Sequence, residues 1–274
     1  MNDAANPSTY FLRQGSSPLL VSMPHVGLEI PSELQAHYVP RALALEDTDW
    51  HLERLYDFAP HLGASVLSAR MSRYVIDQNR PPDDAPMYPG TSNTELCPTR
   101  FFTGEPLYRE GCTPDATERA RRRSRYWEPY HQALQAELDR ITAIHGYALL
   151  WDAHSIRSQI PWLFEGVLPD LNIGTAGGQS ADPSIAQALL AVYASAPQTS
   201  HVLNGRFKGG FITRHYGAPG RHVHAVQLEM CQSLYMQETV PFDYAPALAQ
   251  QIQPLLQAML VAALKACKDL YASR

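Results

Sequence analysis

Short apolar runs that break off into polar, proline-bearing sequence constrain this chain more than any other feature. Leu19-Leu20-Val21 runs into Pro24-His25-Val26-Gly27, Tyr147–Trp151 runs into Asp152-Ala153-His154-Ser155, and Val223–Met230 carries Glu229 near its end. Runs this short, bounded by such breaks, read as buried strands. Further strands are expected at Ala64–Ala69, Tyr74–Asp77 and His201–Leu203. Helical spacing lies between them. Leu52, Leu55, Tyr56 and Ala59 predict a helix over 49–58 capped by Asp47 or Thr48. Residues 115–145 carry an apolar stripe of Tyr126, Tyr130, Leu134, Leu138 and Ile141, divided by Pro129. Pro183–Tyr193 is a shorter helix, and Pro241–Tyr271 is a closing one, entered or interrupted at Pro246 and Pro254. Strands alternating with helices predict an α/β fold, a three-layer α/β/α sandwich on a mixed, mostly parallel sheet. No internal repeat or interdomain linker is visible, so residues 1–274 read as one domain.

Charge narrows the partners. With 22 basic and 27 acidic residues the net charge is −5, and no basic surplus favours nucleic acid or an anionic membrane. A small-molecule partner is expected. The 4 cysteines form no CxxC pair, which argues against a disulfide scaffold or zinc ribbon and suits reduced thiols in a cytoplasmic protein. The amino-terminal residues show no export signal, and no apolar run approaches the length of a membrane helix. The 11 histidines and 22 prolines point to possible metal ligands and to shaped loops, above all the proline-rich stretch Arg80–Pro114.

Open α/β sheets bind ligands beyond the carboxyl ends of their strands, where His25 and His154 are expected to lie. Alternation puts Asp152 on the same side as His154, able to orient its ring. A catalytic zinc site takes three protein ligands and keeps one open position, so a third ligand is needed. Asp49 and Glu29 are the candidates. Asp49 shares the i, i+3, i+7 stripe of Leu52 and Tyr56, although a first-turn acid also simply suits a helix dipole. Glu229 shares a strand face with Ala225 and Gln227; a carboxylate in so apolar a strand is a candidate general base, unless it is an exposed strand-end acid. Arginines that could hold a carboxylate are Arg80, Arg157 and Arg214, with His215 adjacent. The cluster Arg119–Arg125 reads as a solvated helix face. Gly174–Gly178 lacks a P-loop ending and a preceding strand, and reads as a flexible loop.

Taken together, Pro24-His25-Val26-Gly27, Asp47-Thr48-Asp49-Trp50-His51, Tyr74–Asp84, Trp151–Ser155, Asn204–Gly210 and Gln227–Met230 resemble the N-formylglutamate amidohydrolase family, over residues 22 to about 236. That family is similar in fold to the zinc carboxypeptidases, a phosphorylase/hydrolase-like sandwich. The resemblance implies that His25 and His154 bind Zn2+ or another divalent metal, that Asn79 and Arg80 hold a substrate carboxylate, and that Glu229 is the base. In the carboxypeptidases the acidic ligand follows the first histidine by three residues, where this chain has Leu28. Asp49 is preferred, with Glu29 as the fallback. The implied reaction is hydrolysis of N-formyl-L-glutamate to formate and L-glutamate in histidine degradation, or of another N-acyl amino acid. The second carboxylate needs a second cation, for which Arg214 is chosen and Arg157 and His215 are held in reserve.

Overall fold

Every strand here is short enough that position in the sheet, rather than length, decides what its side chains do. The computed structural model describes residues 8–87 and 94–272; residues 1–7, 88–93 within the proline-rich stretch, and 273–274 lie outside them. The strands are β1 (Tyr10–Arg13), β2 (Leu19–Met23), β3 (Ser65–Ala69), β4 (Ala148–Ile156), β5 (Leu171–Gly174), β6 (His201–Leu203) and β7 (Val223–Cys231). They form one seven-stranded sheet in the order β1-β3-β2-β4-β7-β5-β6. The pairs β2–β3, β2–β4, β4–β7 and β5–β6 are parallel, while β1–β3 and β5–β7 are antiparallel. The helices are α1 (Ser32–Gln35), α2 (Leu52–Leu55), α3 (Ala116–Arg122), α4 (Glu128–His145), α5 (Pro183–Tyr193), α6 (Phe211–Tyr216) and α7 (Pro246–Tyr271).

Period-2 alternation sorts the strand residues between two apolar layers. Leu19, Val21, Leu149, Trp151, Val226 and Leu228 join the core under α5 and α7. Leu20, Ala148, Leu150 and Ala225 face the other way, onto Tyr130, Leu134 and Leu138 of α4 and Ile212 of α6. By the same alternation Asp152 and His154 of β4, and Gln227 and Glu229 of β7, fall on the α4/α6 side. The polar residues therefore continue an apolar face to the carboxyl-end rim of the sheet. A third cluster, including Tyr38, Tyr74, Ile76, Phe101 and Leu107, packs the loops beside that rim.

Side-chain caps start α3 and α5. Asp115 caps α3 by accepting the Glu118 N–H at 2.8 Å, and Asp182 caps α5 by accepting that of Ser184 at 2.9 Å, with Pro183 supplying the first turn. Pro129 stands in the first turn of α4, directly after a π turn over Arg123–Trp127, and the helical backbone runs unbroken from Ala116 to His145, so a π turn takes the place of the expected division.

The sequence expectations fail at identifiable places. Tyr74–Asp77 is a turn, not a strand. The helix expected over 49–58 shrinks to α2, whose cap residue His51 has a left-handed backbone and makes no side-chain cap bond; neither Asp47 nor Thr48 caps it. β1 and β5 were not expected, and β5 directly precedes Gly174–Gly178. Nor is Arg119–Arg125 all solvated. Arg122 is fully buried, and its Nη1 donates to the Tyr108 hydroxyl at 2.8 Å and to the Val75 carbonyl at 3.1 Å. By length and composition α7 is apolar enough to cross a membrane, contrary to the expectation that no segment comes near. In this fold its stripe Ala249, Ile252, Leu256, Met259, Leu260, Ala263 and Cys267 is buried against the sheet.

Candidate active site

β2 and β4 run parallel, with Ser22 opposite Asp152, so the chain leaves β2 beside the last residues of β4. His25 follows β2 by two residues. His154, expected just past its strand, lies inside β4 because that strand runs on to Ile156. Asp49 arrives from a turn whose backbone N–H donates to the His25 carbonyl at 3.1 Å. The two imidazole Nδ1 atoms stand 3.1 Å apart, and Asp49 Oδ2 lies 3.2 Å from His154 Nδ1 and 3.6 Å from His25 Nδ1. All three side chains are buried. Glu29 is elsewhere: it is exposed and accepts from Arg70 Nε at 2.9 Å.

These three donors fit a metal ion. Ligands about 2.0–2.1 Å from a tetrahedral zinc stand about 3.3 Å from one another, close to the three separations observed. With its Nε2 donating to Asp77, a neutral His25 turns the Nδ1 lone pair toward His154 and Asp49, where a cation can take it. Carboxylates stand behind both rings, as they do in metal sites. His25 Nε2 is 2.6 Å from Asp77 Oδ1. His154 Nε2 is 3.1 Å from Asp152 Oδ1, within ion-pair distance but off the line of a hydrogen bond. Among the described residues this is the group of histidine, cysteine and acidic side chains placed to share one ion.

Electrostatics separates the acids. Burial opposes charge on Asp49, but hydrogen bonds from His154 and His25 outweigh it and hold the carboxyl well below the usual range. Burial also opposes charge on Asp77, and His25, Arg80 and Arg73 overcome it. His154 is held well above the usual imidazole range, since Asp152 and Asp49 outweigh burial. Glu229 behaves differently. It sits opposite His154 in the β4–β7 register, and burial pushes its carboxyl up to about 8. A carboxylate poised near neutrality beside a prospective metal suits a general base.

Glu229, His25 and His154 border one cleft. The proline-rich stretch supplies Thr94 and Phe102 to its wall. Arg80 also borders it, with Nε 3.0 Å from the Thr94 carbonyl, Nη1 2.9 Å from the Asn79 carbonyl and Nη2 2.5 Å from Thr94 Oγ1. Those bonds leave part of its fork for a ligand. Asn79 borders the cleft too, but its Oδ1 accepts from the Ile212 N–H at 2.8 Å and its Nδ2 lies 2.9 Å from His154 Nε2.

The sequence profile of the N-formylglutamate amidohydrolase family matches residues 17–236, a span that contains every one of these side chains. The chain belongs to that family. It is 56% identical over 251 residues to an N-formylglutamate deformylase of Pseudomonas putida, covering 92% of this chain and 94% of the relative. It is 54% identical over 260 residues to an N-formylglutamate deformylase of Pseudomonas aeruginosa, covering 95% and 97%. The crystal structure of an N-formylglutamate amidohydrolase from Ralstonia eutropha superposes with a TM-score of 0.79 at 21% identity, covering 97% of this chain and 99% of that one. At that identity the likeness shows a shared α/β fold.

In this amidohydrolase-family chain, three of the expected anion-binding groups do not reach the cleft. Arg157 is turned to Asp47, with Nη2 2.7 Å from Oδ1. Arg214 is exposed on α6, its Nε donating to the Gly209 carbonyl at 2.8 Å, and His215 is exposed and stacked on Phe211. The short helix α6, unseen in the sequence, turns both outward. Two arginines without an assigned role do border the cleft, Arg73 and Arg206. Arg73 is buried, with Nη2 2.8 Å from Asp77 Oδ2 and Nη1 3.7 Å from Asp49 Oδ1, so it offsets the acid cluster. Its spacing six residues before Asn79 carried no signal by itself.

Proposed function

We propose that the chain hydrolyses N-formyl-L-glutamate to formate and L-glutamate, using a zinc ion held by His25, Asp49 and His154. The observation that supports this most is the meeting of those three donor atoms beside Glu229, in a cleft bordered by arginines. When bound, the metal polarises the formyl carbonyl and acidifies the attacking water. Glu229 takes the proton of that water and returns it to the departing amine nitrogen. Asp77 holds the His25 imidazole in the orientation that leaves its Nδ1 free to ligate, and Asp152 places a second carboxylate behind the His154 ring. Arg80 receives one substrate carboxylate, and Asn79 braces His154 and the turn that carries Arg80. The formyl group is small, so most of the binding energy must come from the amino-acid half. The family resemblance supports a place in histidine degradation, and 4 cysteines without a CxxC pair support a cytoplasmic setting.

A second reading, a deacylase for another N-acyl amino acid, rests on the fact that neither the metal ligands nor Glu229 reads the acyl group. A substrate panel separates the two. Formate release from N-formyl-L-glutamate, well above hydrolysis of N-acetyl amino acids, is the expected result. Efficient turnover of N-acetyl substrates with none of N-formyl-L-glutamate would establish the second reading instead.

A further inference from the structure

N-Formyl-L-glutamate carries two carboxylates, and Arg80 answers only one. The remaining anion must be met in a cleft that Glu229 already borders, within a chain of net charge −5. Burying it there without a cation is costly. Three arginines border the cleft, Arg73, Arg80 and Arg206. Arg73 is committed to Asp77 and Asp49. Arg206 comes from a separate segment, the connection between β6 and α6, and is half-buried with its guanidinium 5.5 Å from the Phe207 ring.

That connection is pinned at both ends. Asn204 accepts the Thr175 N–H at 2.9 Å and the Gly177 N–H at 3.2 Å on Oδ1, and donates from Nδ2 to Thr175 Oγ1 at 2.8 Å. At the other end Gly209 has φ +117°, and the Gly210 N–H donates to Gln227 Oε1 at 2.7 Å. A side chain at Gly210 would collide with the Asn79 amide, so the segment lies directly against the turn carrying Arg80. Between the pins, Arg206 and Phe207 are presented to the cleft. The cleft also has an apolar lining. Phe102 and Ile156 belong to one buried cluster against which Leu163 and Phe207 pack, and all four border the cleft. Arginines on two segments with an apolar patch in the same wall match a short methylene chain with an anion at each end.

We infer that Arg206 binds the side-chain carboxylate of the substrate and sets the preference for an acidic amino acid. This rests on the deformylase reading above. It replaces Arg214 as the second carboxylate-binding cation. A charge-assisted fork lost from such a site removes about 1.5–3 kcal/mol of binding, or about 10- to 150-fold.

The test compares kcat/KM for N-formyl-L-glutamate with that for N-formyl-L-glutamine, which has nearly the same shape but no side-chain charge. In Arg206→Ala the glutamate-to-glutamine ratio is expected to fall at least tenfold from the wild-type value, and in Arg206→Lys by a smaller factor. The loss should appear mainly in KM. An unchanged ratio in a folded Arg206→Ala protein overturns the assignment. Should that variant fail to fold, an unchanged ratio in Arg206→Lys overturns it equally. A wild-type protein that releases no formate from N-formyl-L-glutamate contradicts the deformylase reading itself, whatever Arg206 does.

Discussion

His25 and His154 bring their Nδ1 atoms to 3.1 Å from opposite sides of a strand boundary, one just beyond β2 and the other inside β4. The parallel β2–β4 register sets this approach, and Asp77 and Asp152 behind the rings make it electrostatically tolerable. Asp49 completes a triangle of donors whose sides suit a single ion. Glu229 stands on the next strand, able to act on water without being a ligand.

Replacing Glu229 with Gln should keep the metal and lose turnover. A general base contributes about 10²–10⁴ in rate, so kcat should fall by that order while bound metal is unchanged. A base works deprotonated, so activity rises with pH through its pKa. Burial puts that value at about 8 in the metal-free protein, and a bound cation pulls it down. The rising limb of kcat/KM is therefore expected above the ordinary Glu value of 4.5 and no higher than about 8. Steady-state kinetics from pH 5 to 9, with metal analysis of both proteins, checks this; an unaltered rate in Glu229→Gln would refute the role.

Asp47 ties three segments together. Its carboxylate accepts from the Tyr74 hydroxyl at 2.9 Å, the Phe102 N–H at 2.9 Å and Arg157 Nη2 at 2.7 Å. Phe102 borders the cleft, with the Arg73 guanidinium 4.5 Å from its ring. Asp47→Ala leaves the half-buried Arg157 guanidinium and the buried Phe102 N–H without this partner, and should cost about 1–3 kcal/mol of stability. Urea unfolding measures the loss, and a KM increase should accompany it. A loss under 1 kcal/mol would show that the tie is dispensable.

His131 gives the fold an acid-sensitive point behind the site. Its Nε2 donates to the Gln78 carbonyl at 2.9 Å, and its ring stacks on Trp127 with centroids 3.6 Å apart. Burial lowers its pKa to about 3. The unfolded chain therefore holds one more proton than the folded chain between about pH 6.5 and 3, and stability falls as pH drops through that window. The slope from this group is about 1.4 kcal/mol per pH unit. Unfolding free energies measured between pH 7 and 5 should fall less steeply in His131→Asn than in the wild type; equal slopes would contradict the assignment.

How much of this was readable beforehand depends on whether a signal was local. β6 and α5 begin and end where the sequence placed them, α5 because Asp182 and Pro183 mark its start and apolar spacing its length. His25, His154 and Glu229 stood out because each interrupts or follows a short apolar run. Asp49 reaches the histidines, but no helical stripe carries it: the turn is held by its backbone bond to His25. β5 escaped notice because Asn172 breaks its apolar run and it leads straight into the glycine-rich Gly174–Gly178. Arg122 was illegible for another reason: nothing beside it in sequence announces Tyr38 and Tyr108, which come from distant segments. Arg206 lies in Asn204–Gly210, a segment that carries the family resemblance, but that resemblance gave it no role.

The central claim is that one metal ion at His25, Asp49 and His154 is required for deformylation. The most direct measurement is formate release from N-formyl-L-glutamate by chelator-treated protein titrated with zinc, alongside Asp49→Ala. Activity is expected to vanish on chelation and to return in proportion to zinc up to one equivalent, while Asp49→Ala binds zinc far more weakly and stays inactive. Full turnover by metal-free protein, or wild-type zinc binding in Asp49→Ala, would contradict the account.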